Sequence, residues 1–143
     1  MAAGKGTRMK SARPKVLHRL AGRSLLQHVL AASSLHARRT VVVTGHGADQ
    51  VESAVHGPDL VFARQEPQLG TGHALQQAAP HLHDDGTTLI LNGDVPLIEP
   101  GTLHGLVQAC GGKALALLAV RLDDPRGHGP GIPRGDPVGR PIP

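Results

Sequence analysis

Met1-Ala-Ala-Gly-Lys-Gly-Thr-Arg-Met-Lys-Ser-Ala-Arg-Pro-Lys15 opens the chain, and its reading decides the rest. Small residues and glycines stand where a backbone must approach something closely, followed by Arg8, Arg13 and Lys15 where that something needs neutralising. A phosphate meets both demands. Gly4 and Gly6 can turn successive N–H groups toward an anion, Thr7 adds a hydroxyl and the cations add charge. A flexible basic terminus is the competing reading, because a G-x-G with nearby cations is by itself a common pattern. The P-loop is excluded, since it needs four residues between its glycines and then Gly-Lys-Ser/Thr. The dinucleotide fingerprint is excluded too, since Met9 stands where a third Gly or Ala is required.

Charge supports the phosphate reading. No Asp or Glu precedes Asp49, yet nine of the fifteen Lys and Arg lie before it, so the N-terminal third is a positive field hidden inside a net charge of +4. Such a field serves nucleic acid, an anionic membrane or a small polyphosphate. Phe62 is the one Phe, Tyr or Trp in the chain, which removes the stacking platforms of a single-strand binder, and no helix-turn-helix or zinc module is legible. Polyphosphate remains, with no nucleic-acid partner expected. No apolar run reaches the roughly 18 residues of a membrane span, and no leader is recognisable, so a cytoplasmic protein is expected. Cys110, alone, has no internal disulfide partner.

Along the chain, Ser24-Leu-Leu-Gln27 has capping-box spacing and opens a helix expected over 25–35. Thr40–Thr44 reads as a buried strand, 49–55 as a helix and 60–63 as a second strand. The loop Gln68-Leu-Gly-Thr-Gly-His-Ala74 leads into a helix through Ala79, with Thr71 expected as its cap and Pro80 as its end. Thr87–Asn92 reads as the clearest strand, Pro100 and Gly111-Gly112 bracket a helix, and 114–122 reads as another strand. Alternating strands and helices predict a parallel sheet with helices on both faces and ligands at the strands' carboxyl ends. A loop of the opening kind should follow a strand, and none precedes Met1; it is therefore expected to be loosely anchored. From Pro125 to Pro143, eleven of nineteen residues are Pro or Gly, too few apolar groups to offset ordering entropy, so an irregular tail is expected.

Asp94, directly after the expected strand and behind Gly93, is placed to hold Mg²⁺ on a phosphate, or else to cap its own turn. Gln65 can read both a donor and an acceptor on a uracil edge, and Gly70 lets a base lie against backbone; a capped helix start with no ligand is the alternative. His81-x-His83 with Asp84-Asp85 has metal-like spacing in a polar turn, where solvated surface is the plainer reading. His46 and His73 read as architectural.

The order Met-Ala-Ala-Gly-x-Gly-Thr-Arg-Met, Pro14-Lys15, Gln-Leu-Gly-Thr-Gly-His-Ala and Asn92-Gly-Asp-Val-Pro-Leu97 resembles sugar nucleotidyltransferases. Within them it is most similar to the pyrophosphorylase domain of the bifunctional N-acetylglucosamine-1-phosphate uridyltransferases. The resemblance implies a Rossmann-like α/β domain with a mostly parallel sheet, truncated at both ends: residues 1–129 as a partial nucleotidyltransferase domain and 130–143 as a Pro/Gly-rich tail. It implies UTP and N-acetylglucosamine 1-phosphate as substrates, Mg²⁺ as cofactor and UDP-N-acetylglucosamine with pyrophosphate as products. Met1, Ala2, Ala3 and Gly4 would contact the nucleotide, Arg8 and Lys15 would neutralise phosphates as the catalytic cations, and Gln65, Gly70 and Thr71 would recognise uridine. Asn92, Gly93 and Asp94 would hold ribose and metal, and Gly129, after Asp123-Asp124, would meet the sugar. The family usually has Tyr at the position of Asn92; the family's second metal ligand and hexapeptide-repeat domain have no counterpart here, so little turnover is expected from this chain alone. A homo-oligomer is expected only with that further domain. Nucleotidyltransferases for other bases, and a non-catalytic nucleotide-binding module, stay open.

Overall fold

The computed structural model describes residues 1–4, 6, 11–83 and 85–119. Arg8, Asp123, Asp124, Gly129 and the 130–143 tail, all named above, lie outside the described residues. After Pro14 a 3-10 turn, Lys15–Leu17, leads into a small hairpin of β1 (Arg19–Leu20) and β2 (Arg23–Ser24). The hairpin pairs Arg19 with Ser24 and Leu20 with Arg23 around Ala21 and Gly22, whose φ values of 48° and 83° are those of a two-residue turn. Sequence reading missed it because two-residue strands carry no periodicity.

Helix α1 (Leu25–Ser33) starts where the capping box places it. Gln27 N donates to Ser24 Oγ at 3.2 Å, and Ser24 N donates to Gln27 Oε1 at 2.8 Å. Strand β3 (Thr40–Thr44), helix α2 (Ala48–Ala54) and strand β4 (Leu60–Arg64) form one β-α-β unit, with β3 and β4 parallel and in register from Thr40 opposite Leu60 to Thr44 opposite Arg64. Helix α3 (Thr71–Ala78) follows, continued by a 3-10 turn over Ala79–His81, and α4 runs Pro100–Cys110 to a left-handed Gly111. Thr71 is the first helical residue, not the cap. Gly70 holds the cap position, and the first turn of α3 has no side-chain cap hydrogen bond among the described residues.

The two faces of the sheet follow from the period of two along β3. Val42 packs with Ala2, Val16, Leu26, Val51 and Val55 on the face covered by α1 and α2. Val43 and Val41 pack with Ala3, Met1, Ala74 and Ala78 on the face covered by α3. Each fully buried aliphatic side chain contributes about 1.5–3 kcal/mol, so the β-branched run of β3 is the thermodynamic centre of the domain. Helix α4 packs against α1 and buries Leu103 completely.

The opening segment corrects one expectation. Residues 1–3 are themselves part of the sheet: Ala2 N donates to Val43 O at 2.8 Å, and Ala2 bridges Thr44 in the parallel sense. On the other side the Met1 ammonium donates to Leu91 O at 2.7 Å, and Gly93 N donates to Met1 O at 2.8 Å. Met1 and Ala2, which lead into the loop, are thereby held by backbone bonds on both flanks. Expected strands at 87–92 and 114–122 are the second correction. Residues 87–92 and 114–119 form no ladder among the described residues, and 120–122 lie outside them. A strand exists only opposite a hydrogen-bonded partner, and residues 87–90 have no ladder partner among the described residues. Ile90, Leu115, Leu117 and Leu118 are correspondingly exposed.

Candidate active site

Four segments distant in sequence meet at the carboxyl ends of the parallel strands, around a cleft of about 530 Å³. Residues 1–4 and Gly6 form one wall, Lys15 and Val16 a second, Gln65 with the 68–74 loop a third, and Asn92 with Asp94 the fourth. Of the residues singled out in the sequence and described, Met1, Ala2, Ala3, Gly4, Lys15, Gln65, Gly70, Thr71, Asn92 and Asp94 all line it. Gly93 lies behind the wall. A Cβ there would stand 2.9 Å from Met1 O, 3.2 Å from a Leu26 methyl and 3.3 Å from a Val16 methyl, so only glycine lets the two backbones bond.

Lys15 leaves its 3-10 turn to place Nζ 2.6 Å from Asp94 Oδ2. The pair joins the first basic cluster to the residue following the Gly93 contact, and both side chains remain partly exposed to the cleft. Burial pushes the Met1 ammonium below its ordinary value, while the Asp94 carboxylate pulls it the other way. Asp94 is the only carboxylate among the described lining residues. Among the described residues no group of three or more His, Cys, Asp or Glu is arranged to hold a metal through protein ligands alone, and His81, His83 and Asp85 form no such cluster. A single carboxylate is nevertheless the donor set that Mg²⁺ uses when phosphates and water complete its shell. Asp94 fits that group.

Gln65 is buried, with 4% of its surface exposed, and its backbone N donates to Thr44 O at 2.7 Å. Its Nε2 donates to Gly70 O at 2.9 Å and meets His73 Nδ1 at 3.2 Å. Gly70 and Thr71 line the cleft where α3 begins without a side-chain cap, which leaves first-turn N–H donors for a ligand.

The strand ends that support this wall are tied by charge. Glu52 of α2 accepts from Thr44 Oγ1 at 2.9 Å and from both Nε and Nη2 of Arg64, at 2.9 and 2.7 Å, and Arg64 also donates to Asp49. The Arg64 bond is the main cause that holds the Glu52 carboxyl below its ordinary value, and the two carboxylates push the Arg64 guanidinium up. Sequence reading named neither Glu52 nor Arg64, because the three elements that contribute converge only in the fold. Val16, Gly6, Gln68 and Ala74 also line the cleft. Their signal was adjacency to residues already chosen.

Comparison with known proteins shows which family the chain resembles. The bifunctional protein GlmU of Methylibium petroleiphilum is 64% identical over 141 residues, covering 95% of this chain and 31% of the relative. That of an Acidovorax species is 64% identical over 137 residues, 90% of this chain and 29% of the relative, and that of an Azoarcus species 57% identical over 130 residues. The chain thus spans about three tenths of the length of these curated relatives. Residues 1–135 match the family described as the MobA-like NTP transferase domain, and the three-layer core and strand-end cleft are what a nucleotide-binding α/β domain requires. The chain belongs to the MobA-like NTP transferase domain family.

Proposed function

We propose that this chain is the nucleotide-binding part of an N-acetylglucosamine-1-phosphate uridyltransferase, acting on UTP and N-acetylglucosamine 1-phosphate in the cytoplasm to make a nucleotide sugar for peptidoglycan and other cell-wall assembly. The observation that carries the reading is the convergence of the opening segment, Lys15, the 65–74 loop and Asn92–Asp94 on one cleft. Likeness to GlmU over nine tenths or more of the chain supports it. Residues 1–129 would form the partial transferase domain and 130–143 its irregular tail.

In this reading residues 1–4 lie along the nucleotide through their backbone, held in place by the bonds to Val43 and Gly93. Gln65, Gly70 and Thr71 receive the uracil, with the first-turn donors of α3 facing its carbonyl edge. Asn92 offers an amide to ribose where related enzymes usually carry Tyr. Asp94 would hold Mg²⁺, which when bound supplies charge neutralisation on the polyphosphate. Lys15 and Arg8 neutralise the phosphates from the protein side, and Gly129 meets the sugar.

No protein nucleophile is required. An oxygen of the sugar phosphate attacks the α-phosphorus of UTP in line; the new O–P bond forms as the bond to pyrophosphate breaks, and pyrophosphate leaves with the electron pair. The protein's part is to align the two substrates and to stabilise charge as it shifts toward the leaving group. Lys15 paired with Asp94 is the resting arrangement, and the arriving polyphosphate competes for the lysine.

The test is calorimetric titration with UTP, CTP and dTTP in Mg²⁺, beside an assay of pyrophosphate release with N-acetylglucosamine 1-phosphate. Preference for UTP is the expected result. Equal affinity for the three nucleotides would overturn the uridine assignment, and turnover in this chain, expected to be slight, would measure how much of the sugar site it holds.

A further inference from the structure

His73 lies between two glutamines, and the hydrogen-bond count around it has one solution. Gln65 Nε2 is 2.9 Å from Gly70 O, a pure acceptor, so the Gln65 amide must present its nitrogen there. The same nitrogen faces His73 Nδ1 at 3.2 Å, so Nδ1 accepts and the imidazole proton sits on Nε2. His73 Nε2 in turn lies 3.1 Å from Gln77 Nε2 one helical turn away; with the proton on His73 Nε2, the Gln77 amide is assigned the other way round, its oxygen accepting from that N–H. Both hydrogens of Gln65 Nε2 are then engaged. Only Oε1 remains for a ligand, and Gln65 lines the cleft.

We propose that His73 is a positioning residue that, together with Gly70 O, locks the sense of the Gln65 amide, so that the cleft offers an acceptor to the ring N–H of a bound base. The proposal rests on the nucleotide-binding reading above and deepens it. Uracil presents an N–H at ring position 3, whereas cytosine presents a lone pair there. An amide oxygen fixed at that point accepts from the first and repels the second, and a site built around one donor rejects the mismatched partner strongly. An amide free to rotate accommodates both. Sequence reading gave Gln65 a double role as donor and acceptor; the structure assigns its donors to Gly70 and His73.

Two variants separate positioning from bulk support. His73→Leu removes the acceptor, and His73→Asn keeps an acceptor oxygen near the place of Nδ1. The UTP-over-CTP affinity ratio should fall roughly tenfold in His73→Leu, mostly through a gain for CTP relative to UTP, and recover in His73→Asn. Equal losses for both nucleotides, with an unchanged ratio, would overturn the proposal and mark His73 as packing only. Imidazole ¹⁵N shifts of the unliganded protein give an arm that needs no nucleotide. Protonated Nε2 with bare Nδ1 is the expected tautomer, and the reverse tautomer overturns the proposal. A protein that shows the expected tautomer but no preference for UTP would sink the uridine reading, and with it the role of the locked amide in choosing the base.

Discussion

Lys15 and Asp94, separated by 79 positions in sequence, stand 2.6 Å apart across the mouth of the cleft. With side chains 41% and 33% exposed, the pair is close to a surface salt bridge and contributes at most about 1 kcal/mol to folding. In the proposed function its importance is for binding.

Lys15→Ala should therefore leave the unfolding midpoint nearly unchanged while lowering UTP affinity roughly tenfold or more, since a charge-assisted contact to phosphate is worth about 1.5–3 kcal/mol. Uridine, without phosphates, should bind as before. Calorimetry with both ligands checks this, and equal losses would show that the lysine supports the fold.

Asp94→Asn should abolish the Mg²⁺ dependence of UTP binding and release Lys15 at the same time. Metal-free binding of UTP should stay level or tighten slightly, because the lysine loses its competitor. Titrations with and without Mg²⁺ decide; an unaltered metal dependence removes Asp94 from the site.

Gly93→Ala should destabilise the protein by about 1–3 kcal/mol, the usual range for overpacking, because its Cβ would meet backbone at 2.9 Å and not a flexible side-chain tip. The bond from Gly93 N to Met1 O would lengthen, and nucleotide affinity should fall with it. Urea unfolding gives the first number; a wild-type midpoint would mean that the opening segment shifts without cost.

Acid should act through Glu52. Its carboxyl is held below its ordinary value of 4.5, chiefly by the Arg64 hydrogen bond and further by Thr44, against the opposing effect of burial. The ionised form is thus favoured by folding, and the stability it confers is fully present above pH 4.5 and lost as pH falls through the lower folded value. Glu52→Gln should be less stable than wild type at neutral pH, and the gap should close in acid. Unfolding midpoints measured from about pH 6 to about pH 3 test this, and a constant gap would rule out the carboxylate as its source.

Local chemistry was legible wherever neighbours in sequence are neighbours in space. Ser24 and Gln27 cap α1 because a capping box is a four-residue device, and Thr40–Thr44 is a buried strand because an uninterrupted β-branched run satisfies both of its faces. The glycine loop, Lys15, the Gln68–Ala74 segment and Asn92–Asp94 could be named from residue types alone, since the phosphate and base recognition proposed for them needs those groups wherever they lie.

Other features belonged to the fold. Thr87–Asn92 has the composition of a strand and is none here, because a ladder requires a partner in register and composition does not supply one. Met1–Ala3, with no strand signal, enters the sheet because Val43 and Gly93 offer it backbone partners on both sides. The Lys15–Asp94 pair, the Glu52–Arg64 clamp and the Gln65 amide with Gly70 and His73 all join atoms from separate elements. By itself the sequence determined which groups are available and which short segments take regular structure; only the tertiary structure decided which of them meet, because hydrogen bonds and ion pairs depend on distances of a few ångströms that chain order does not contain.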